Sequence, residues 1–239
     1  MKKLNLIPTA VVMIAILVTS CGGNTSSKST ITDTSSNEST SSNEVTIGTQ
    51  VWMTKNLDVD KFRNGDVIPE AKTEGEWIAY GDAGEAAWCY YDNDKKNGEK
   101  YGKLYNWHAV NDSRGLAPKG WHIPSHAEWT KLIYFLGGIG VAGTTSGGTT
   151  SGVAGTKMKS TDGWEGNGNG TNESGFSGLP GGNRNYYGSF GIGKYGYWWS
   201  STEASAFNAW SGYLDYSNGN LDRYFSFKKH GYSVRCLRD

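Results

Sequence analysis

Two aspartates near the middle of the chain have the spacing of metal ligands. Asp92 and Asp94 lie in the segment YYDNDKKNG at residues 90–98, where side-chain oxygens alternate and a glycine follows. Calcium prefers oxygen ligands of this kind, so we take the two aspartates as candidate calcium ligands. However, Lys95 and Lys96 bring positive charge to the positions where further oxygens would be needed. An Asx-rich turn is the alternative structure for the same residues.

The histidines and glycines do not form a recognisable catalytic motif. His122 and His126 are four residues apart, but Pro124 lies between them and a helix is expected only after Ser125. The two rings would therefore not share a helical face, and the glutamate of the zincin motif is missing. The segment GIGKYG at residues 191–196 matches Gly-x-Gly-x-x-Gly, but YWW follows it instead of a helix. We expect a turn there, no catalytic residues, and no cofactor other than calcium.

The remaining candidates for binding are aromatic. An aromatic ring offers a large apolar face, which suits the C–H face of a pyranose sugar. Six residues could form such a platform: Trp198, Trp199, Trp210, Tyr186, Tyr187 and Tyr195. The alternative is that most of these rings belong to the core. Because adjacent strand residues point to opposite faces, we expect at most one of Trp198 and Trp199 to be exposed.

The first cysteine lies at the end of an export signal. Two lysines precede an apolar run that ends in VTSC at residues 18–21, which has the lipobox pattern. The run is too short for a dependable transmembrane helix, which needs about 20 apolar residues. We therefore predict a signal peptide over residues 1–20 and acylation of Cys21, which would hold the protein at the bacterial envelope, at the outer membrane in particular.

A tether and one domain follow the acylated cysteine. Residues 22–44 are mostly Ser, Thr and Asn, a composition typical of a flexible linker, so residues 21–44 are interpreted as lipidated cysteine and tether. The folded domain then covers residues 45–239 and contains all ten tryptophans. Abundant glycine and short aromatic stretches favour a loop-rich α+β domain. The formal net charge is zero, so nothing indicates nucleic acid as a partner.

Acylation of Cys21 would leave two cysteines in the exported domain. An oxidising compartment favours their pairing, so we predict a disulfide between Cys89 and Cys236. The alternative is that both are buried free thiols that act as small apolar residues.

One helix is predicted clearly, over about residues 125–137. Ser125 and Glu128 have the spacing of a capping box. An apolar stripe follows at i, i+3, i+4 and i+7, formed by Trp129, Leu132, Ile133 and Leu136. The Gly-Gly pair at residues 137–138 would end the helix.

Strands are predicted from short aromatic or β-branched segments between turn residues. Residues 45–53 indicate a hairpin or a bent strand, and four further strands are expected at residues 197–201, 209–213, 223–227 and 232–237. The glycine-, threonine- and serine-rich residues 138–155 predict a long exposed loop.

Six motifs, in order, resemble one bacterial family. They are VTIGTQVWMTKNL at 45–57, YGKLYNWHAV at 101–110, GWHIPSHAEW at 120–129, NESGFSGLPGG at 172–182, YWWSSTE at 197–203 and GYSVRCLR at 231–238. The chain resembles the Fibrobacter succinogenes major paralogous domain family, which is similar to the wider C-type-lectin-like group and its formylglycine-generating enzymes. The resemblance implies a C-type-lectin-like α+β fold with mixed or antiparallel sheets on an exported, often lipid-anchored protein.

The chain lacks the residues that related proteins of this group use for calcium-dependent sugar binding and for catalysis. Calcium-dependent sugar binders of the group use Glu-Pro-Asn and Trp-Asn-Asp triplets, and neither occurs here. Formylglycine-type oxidation needs reactive cysteines, whereas Cys236 matches a structural position of the group. We therefore expect a lipid-anchored, non-catalytic, extracytoplasmic binding module for glycan or an envelope protein. A structural envelope component and an enzyme similar to the formylglycine-generating enzymes are the alternatives.

Overall fold

Short strands and a few helices make up the part of the chain that the structure describes. The computed structural model describes residues 43–137 and 153–239. The strands are β1 Glu44–Ile47, β2 Gln50–Met53, β3 Trp88–Cys89, β4 Leu104–Tyr105, β5 Trp121–His122, β6 Asn183–Asn185, β7 Gly188–Phe190, β8 Tyr195–Glu203, β9 Asn208–Asp215, β10 Leu221–Phe227 and β11 Leu237–Arg238. The helices are α1 Glu74–Ala83, α2 Lys95–Tyr101, α3 Trp107–Val110, α4 His126–Phe135 and α5 Ala154–Met158. These elements confirm the α+β class.

The strands form several small antiparallel sheets. One sheet has the order β1-β2-β11-β5, so the last strand of the domain lies between strands from its beginning and middle. A second sheet has the order β10-β9-β8, and β3-β4 and β6-β7 are two-stranded. The hairpin predicted at residues 45–53 is confirmed as β1-β2. Its turn places Gly48 at φ +62°, a left-handed conformation that favours glycine.

Helix α4 begins and ends as the sequence predicts. The Ser125 side chain accepts a hydrogen bond from the Glu128 N–H, and the Glu128 carboxylate accepts one from the Ser125 N–H, so the capping box is present. The predicted stripe of Trp129, Leu132, Ile133 and Leu136 is buried. Gly137 follows at φ +88°. Most of the loop predicted at residues 138–155 lies outside the described residues.

Helices α1 and α2 were not predicted, although the capping residues at their starts can be recognised in the sequence. Thr73 and Glu76 form a second capping box at the start of α1, in the same Thr/Ser-x-x-Glu pattern as α4. The side chain of Asp94 accepts a hydrogen bond from the Lys96 N–H and begins α2. Among the described helices, none is long and apolar enough to span a bilayer.

Both tryptophans of the YWW segment are buried, one on each side of β8. Trp198 lies in a cluster with Trp52 and Trp129, whereas Trp199 lies in a different cluster with Tyr232. Their exposed fraction is 0%. As candidate ligand-binding residues both are therefore wrong: core residues cover β8 on each side at these two positions, so neither ring reaches the surface.

The predicted disulfide is not present, because the two cysteines point into different clusters. Cys89 and Cys236 are buried free thiols. Trp88 packs into the cluster that contains Cys236. Cys89 is the next residue of β3, so its side chain points to the opposite face and packs with Trp77 and Leu104.

The strand predictions were correct for the three-stranded sheet and differ at the chain end. The segments at residues 197–201, 209–213 and 223–227 lie inside β8, β9 and β10. Of residues 232–237, only Leu237 belongs to a strand, β11. The residues before it make single bridges to separate partners, Tyr232 to Tyr105 and Ser233 to Trp198. This segment passes between sheets and so cannot extend one ladder.

A polar hub around the half-buried side chain of Asn56 joins four of the sequence motifs. The Asn56 Oδ1 accepts hydrogen bonds from the Trp198 indole at 2.9 Å and from the Arg235 Nε and Nη2 at 3.1 and 2.8 Å. The Asn56 amide donates to the Tyr101 carbonyl at 2.8 Å and to the Ser233 hydroxyl at 3.2 Å. Asn56 therefore connects the N-terminal hairpin, the three-stranded sheet and the C-terminal segment.

Arg235 is the buried cation of this hub. Its Nη1 donates to the carbonyls of Met53 and Phe176, and its guanidinium lies 4.4 Å from the Phe176 ring centroid. Burial lowers the pKa of Arg235 to about 9, so the side chain stays charged at neutral pH. The charge is held by neutral oxygens, and Asn56 supplies the acceptor for two of its N–H groups.

Candidate functional site: an aromatic row on the three-stranded sheet

One face of the three-stranded sheet carries tyrosines on all three strands. In β9, Tyr213 is opposite Tyr197 of β8 and opposite Asp222 of β10. Since side chains alternate along a strand, Tyr195 and Tyr224 lie on the same face as Tyr213. Tyr232 stacks on Tyr197 at 4.7 Å between ring centroids and covers that end of the face. The tyrosines farther from Tyr232 remain accessible.

Four rings form a series along the accessible part, which we call the aromatic row: Phe190, Tyr195, Tyr213 and Tyr224. The centroid of Phe190 is 5.8 Å from that of Tyr195, which is 5.6 Å from that of Tyr213. Tyr213 is 5.7 Å from Tyr224. The two end rings are exposed, Phe190 by 56% and Tyr224 by 42%, and the two inner rings are half-buried. The spacing is thus nearly constant across the row.

Polar groups lie beside the rings. The Tyr213 hydroxyl donates to Asp215 Oδ2 at 2.7 Å, and the Ser217 N–H donates to Oδ1 at 2.8 Å. Burial alone would raise the pKa of Asp215, but these hydrogen bonds outweigh it and hold the pKa below its ordinary value. At the other end, Lys194 pairs with Glu165 at 3.8 Å.

The tyrosines of this face stay neutral. Burial raises the pKa of Tyr197, Tyr213 and Tyr224 above the ordinary value of 10.0. Their hydroxyls therefore remain hydrogen-bond donors at physiological pH. A carboxylate and neutral phenols beside apolar rings can bind a neutral polyhydroxylated ligand.

The structure separates the six aromatic residues that the sequence suggested. Only Tyr195 lies in the aromatic row. Trp210 lies on the opposite face of the sheet, 4.9 Å from Phe225 and 4.0 Å from the ring of His126. Tyr186 and Tyr187 contact each other at the β6-β7 turn, where Tyr187 is 89% exposed.

Sequence reasoning missed Phe190, Tyr213 and Tyr224. A signal for the two tyrosines exists in the β9-β10 hairpin. Ser217-Asn-Gly-Asn220 is a turn, and pairing outward from it brings Leu214 opposite Leu221 and Tyr213 opposite Asp222. That register puts Tyr213 and Tyr224 on one face. Phe190 comes from a separate hairpin, and only the tertiary structure places it on Tyr195.

The two aspartates proposed as calcium ligands belong to a turn and a helix cap. Asp92 and Asn93 have left-handed backbones, at φ 53° and 55°. The Asp94 carboxylate caps α2 through the Lys96 N–H at 2.9 Å. Within residues 43–137 and 153–239, no three His, Cys, Asp or Glu side chains are arranged to hold a metal ion. The Asx-rich turn is the structure that forms.

The two histidines serve separate roles. His122 Nδ1 lies 2.9 Å from Asp239 Oδ1, and its Nε2 lies 3.0 Å from Glu128 Oε1. His126 instead stacks on Trp210, and burial, with the nearby Arg223, lowers its pKa to about 4. The two rings therefore do not converge on one site.

The His122 bridge makes stability depend on pH. Burial lowers the pKa of His122, but hydrogen bonds to Asp239 and Glu128 outweigh it, so the pKa lies above the ordinary 6.5. A histidine with a raised folded pKa adds stability that is complete below its unfolded pKa and is lost as pH rises through the folded value.

We expect the free energy of unfolding in urea to fall as pH rises above 6.5, by less than about 1 kcal/mol because the ring is 36% exposed and the pairs are screened. His122→Gln should remove this slope. His126→Gln is the control, since the lowered pKa of His126 acts only below pH 6.5. An unchanged slope in His122→Gln would contradict the assignment.

Three clefts among the described residues lie away from the aromatic row. One, of about 560 Å³, lies beside Trp121 and Met53. The larger of the other two, of about 600 Å³, is lined mainly by polar side chains of both charges, among them Lys55, Asp58, Glu99, Lys100 and Asp162. Its tyrosine, Tyr101, is buried. The smaller, of about 370 Å³, lies between the end of α1 and Phe207, Phe227 and Lys228. The larger cleft offers hydrogen bonds without an exposed ring face, in contrast to the aromatic row.

Comparison with known proteins identifies the family. The family model of the Fibrobacter succinogenes major domain matches residues 45–238. The chain belongs to this family. The match covers the six sequence motifs and the whole described domain from β1 to β11. No curated protein and no solved structure matches the chain. The C-type-lectin-like part of the fold prediction therefore stays a prediction.

The family assignment gives the hub a wider meaning. Asn56, Trp198 and Arg235 lie inside the matched region, in the first motif, the YWW motif and the last motif. In this Fibrobacter succinogenes major domain the three motif residues build the interior, whereas the aromatic row uses residues outside the motifs at Phe190, Tyr213 and Tyr224.

Proposed function

We propose that the protein is a lipid-anchored, non-catalytic binding module of the bacterial envelope whose aromatic row binds carbohydrate. The observation that carries the proposal is the row itself: four evenly spaced rings, of which the two end rings are exposed, with the Asp215 carboxylate beside them. The exposed end rings offer apolar surface to the C–H face of a sugar, while Asp215 can accept hydrogen bonds from its hydroxyl groups.

The state of the cysteines supports a non-catalytic role. Burial raises the pKa of Cys89 and of Cys236 to about 12. At neutral pH neither residue supplies a thiolate, which is the reactive form of cysteine. Chemistry like that of the formylglycine-generating enzymes would need such a thiolate.

The signal and lipobox of residues 1–21 support the envelope location. Acylation of Cys21 and a tether over residues 22–44 would hold the domain near a membrane while leaving its surface free to bind. The formal net charge of zero suits a neutral glycan better than a nucleic acid.

Carbohydrate binding should depend on the exposed end of the row. We expect Tyr224→Ala to weaken binding about tenfold, since loss of one ring contact removes about 1.4 kcal/mol. The measurement is a glycan array followed by titration calorimetry, with protein purified from membranes in mild detergent and with or without calcium. Phe225→Ala is the matched control, because Phe225 is the next residue of β10 and faces the other side of the sheet. Equal losses in both variants, or no bound glycan, would contradict the proposal.

Anchoring should depend on Cys21 alone. In membrane fractionation, we expect the native protein in the membrane pellet and Cys21→Ser either in the soluble fraction or as an uncleaved precursor of higher mass. Cys89→Ser is the control, since Cys89 is buried in the domain. A native protein whose Cys21 carries a free thiol would refute the lipidation.

A further inference from the structure

The tilt of successive rings limits what the aromatic row can bind. The interplanar angle is 24° between Phe190 and Tyr195 and 38° between Tyr195 and Tyr213. It reaches 73° between Tyr213 and Tyr224. A sheet twists, so side chains on neighbouring strands rotate relative to one another by about 20–25° per strand, and ring torsions add to this. The rings therefore do not lie in one plane.

A flat ligand cannot contact the whole row. The surface of a crystalline polysaccharide is planar, so it can lie flush on rings only where they are coplanar. Phe190 and Tyr195 are nearly parallel but stacked, so they do not share a plane, and Tyr224 is turned nearly edge-on to Tyr213. At most a part of the row would then be used.

A single glycan chain can follow the row. Its glycosidic bonds rotate, so each sugar can take the inclination of the ring beneath it. The ring centroids are 5.6–5.8 Å apart, a step comparable to the advance of one pyranose unit along an extended chain. Even spacing with changing tilt thus matches a twisted, flexible polymer.

A hydrogen-bonding group with a free acceptor lies on the same path. Asp215 lies beside Tyr213 and accepts from its hydroxyl through Oδ2. The N–H and the hydroxyl of Ser217 both donate to Oδ1, so the remaining lone pair of Oδ2 can accept from a sugar hydroxyl. The inner part of the row therefore combines ring surface with a carboxylate.

We propose that the aromatic row binds one soluble glycan chain lying along it, with four sugar units spanning the row from Phe190 to Tyr224; this rests on the proposed carbohydrate function. Binding should then increase with chain length up to the tetrasaccharide and stay constant beyond it. Loss of an end ring should shorten the site by one unit.

The experiment compares soluble chains with flat surfaces. The purified lipoprotein in detergent is incubated with xylan, mannan and hydroxyethyl cellulose, and separately with microcrystalline cellulose and chitin powder. We expect capture by a soluble chain. Calorimetry with oligosaccharides of one to six units from the polymer that binds then gives the length dependence. Phe190→Ala and Tyr224→Ala should each reach their constant affinity at the trisaccharide, whereas Phe225→Ala should keep the tetrasaccharide limit.

Each outcome bears on a different claim. Capture on cellulose or chitin powder without capture of a soluble chain overturns the single-chain inference and leaves carbohydrate binding intact. The same holds if the affinity of the native protein stops rising before the tetrasaccharide, or if neither end variant changes the limit. If no soluble or insoluble carbohydrate is bound, both the inference and the proposed function fail.

Discussion

Replacing Asn56 by alanine should destabilise the domain by about 2–3 kcal/mol, the upper range for hydrogen bonds to a charged group. Asn56 Oδ1 is the acceptor for two N–H groups of Arg235 and for the Trp198 indole. Arg235 remains fully buried and charged without it. Since a domain has only about 5–15 kcal/mol of stability, this loss is a substantial fraction of the total.

The measurement is equilibrium unfolding in urea at neutral pH, followed by tryptophan fluorescence. Lys55→Ala is the matched control, because Lys55 is the exposed neighbour of Asn56 and should change stability by no more than about 0.5 kcal/mol. Asn56→Asp separates the contribution of the acceptor Oδ1 from that of the donor Nδ2. It keeps the acceptor for Arg235 but places a carboxylate against the Tyr101 carbonyl, so its loss should be smaller than that of Asn56→Ala. A loss below about 1 kcal/mol in Asn56→Ala would contradict the hub.

Local patterns predicted the elements that depend on local interactions. The Ser125–Glu128 box and the apolar stripe after it were sufficient for α4, because capping and helical periodicity act within a few residues. The β1-β2 hairpin was predicted for the same reason. The Thr73–Glu76 box of α1 carries an equally local signal, so that helix was predictable and was overlooked.

Contacts between distant segments were not predictable in this way. The role of Asn56 depends on Arg235, which is 179 residues away in the chain, and no periodicity connects the two. The disulfide prediction failed similarly: spacing and compartment favoured a bond, but the alternation of Trp88 and Cys89 in a two-residue strand directs the thiol into another cluster. The residues that pack against a short strand decide which of its side chains point into which cluster, and this packing is a tertiary property.

The aromatic site shows the same limit. The sequence identified tyrosines and tryptophans as candidate sugar contacts, but exposure decides between core and surface, and exposure is a tertiary property. Trp198 and Trp199 have the ring area to bind a sugar, yet both are covered. Tyr213 and Tyr224 were predictable only through the register of the β9-β10 hairpin. The family match does not locate the surface site either, since the six motifs contribute chiefly to the interior.

The contrast between core and surface tryptophans gives the last prediction. Trp198→Ala should lower the free energy of unfolding by about 3–5 kcal/mol, as is usual for a buried tryptophan. Trp198 is fully buried, lies 5.7 Å from Phe176 and donates its indole N–H to Asn56. Trp210→Ala should cost only about 1 kcal/mol, because Trp210 is partly exposed and rests on His126 and Phe225.

Thermal unfolding and glycan binding should be measured together on the two variants. At about 2–4 °C per kcal/mol for a domain of this size, Trp198→Ala should melt roughly 10 °C below the native protein, and Trp210→Ala only a few degrees below. Trp210→Ala should keep full carbohydrate binding, since its ring lies on the face opposite the aromatic row. If Trp198→Ala kept its stability but lost binding, Trp198 would be a ligand contact after all. If Trp210→Ala lost binding while staying folded, the site would lie on the Trp210 face instead of the tyrosine face.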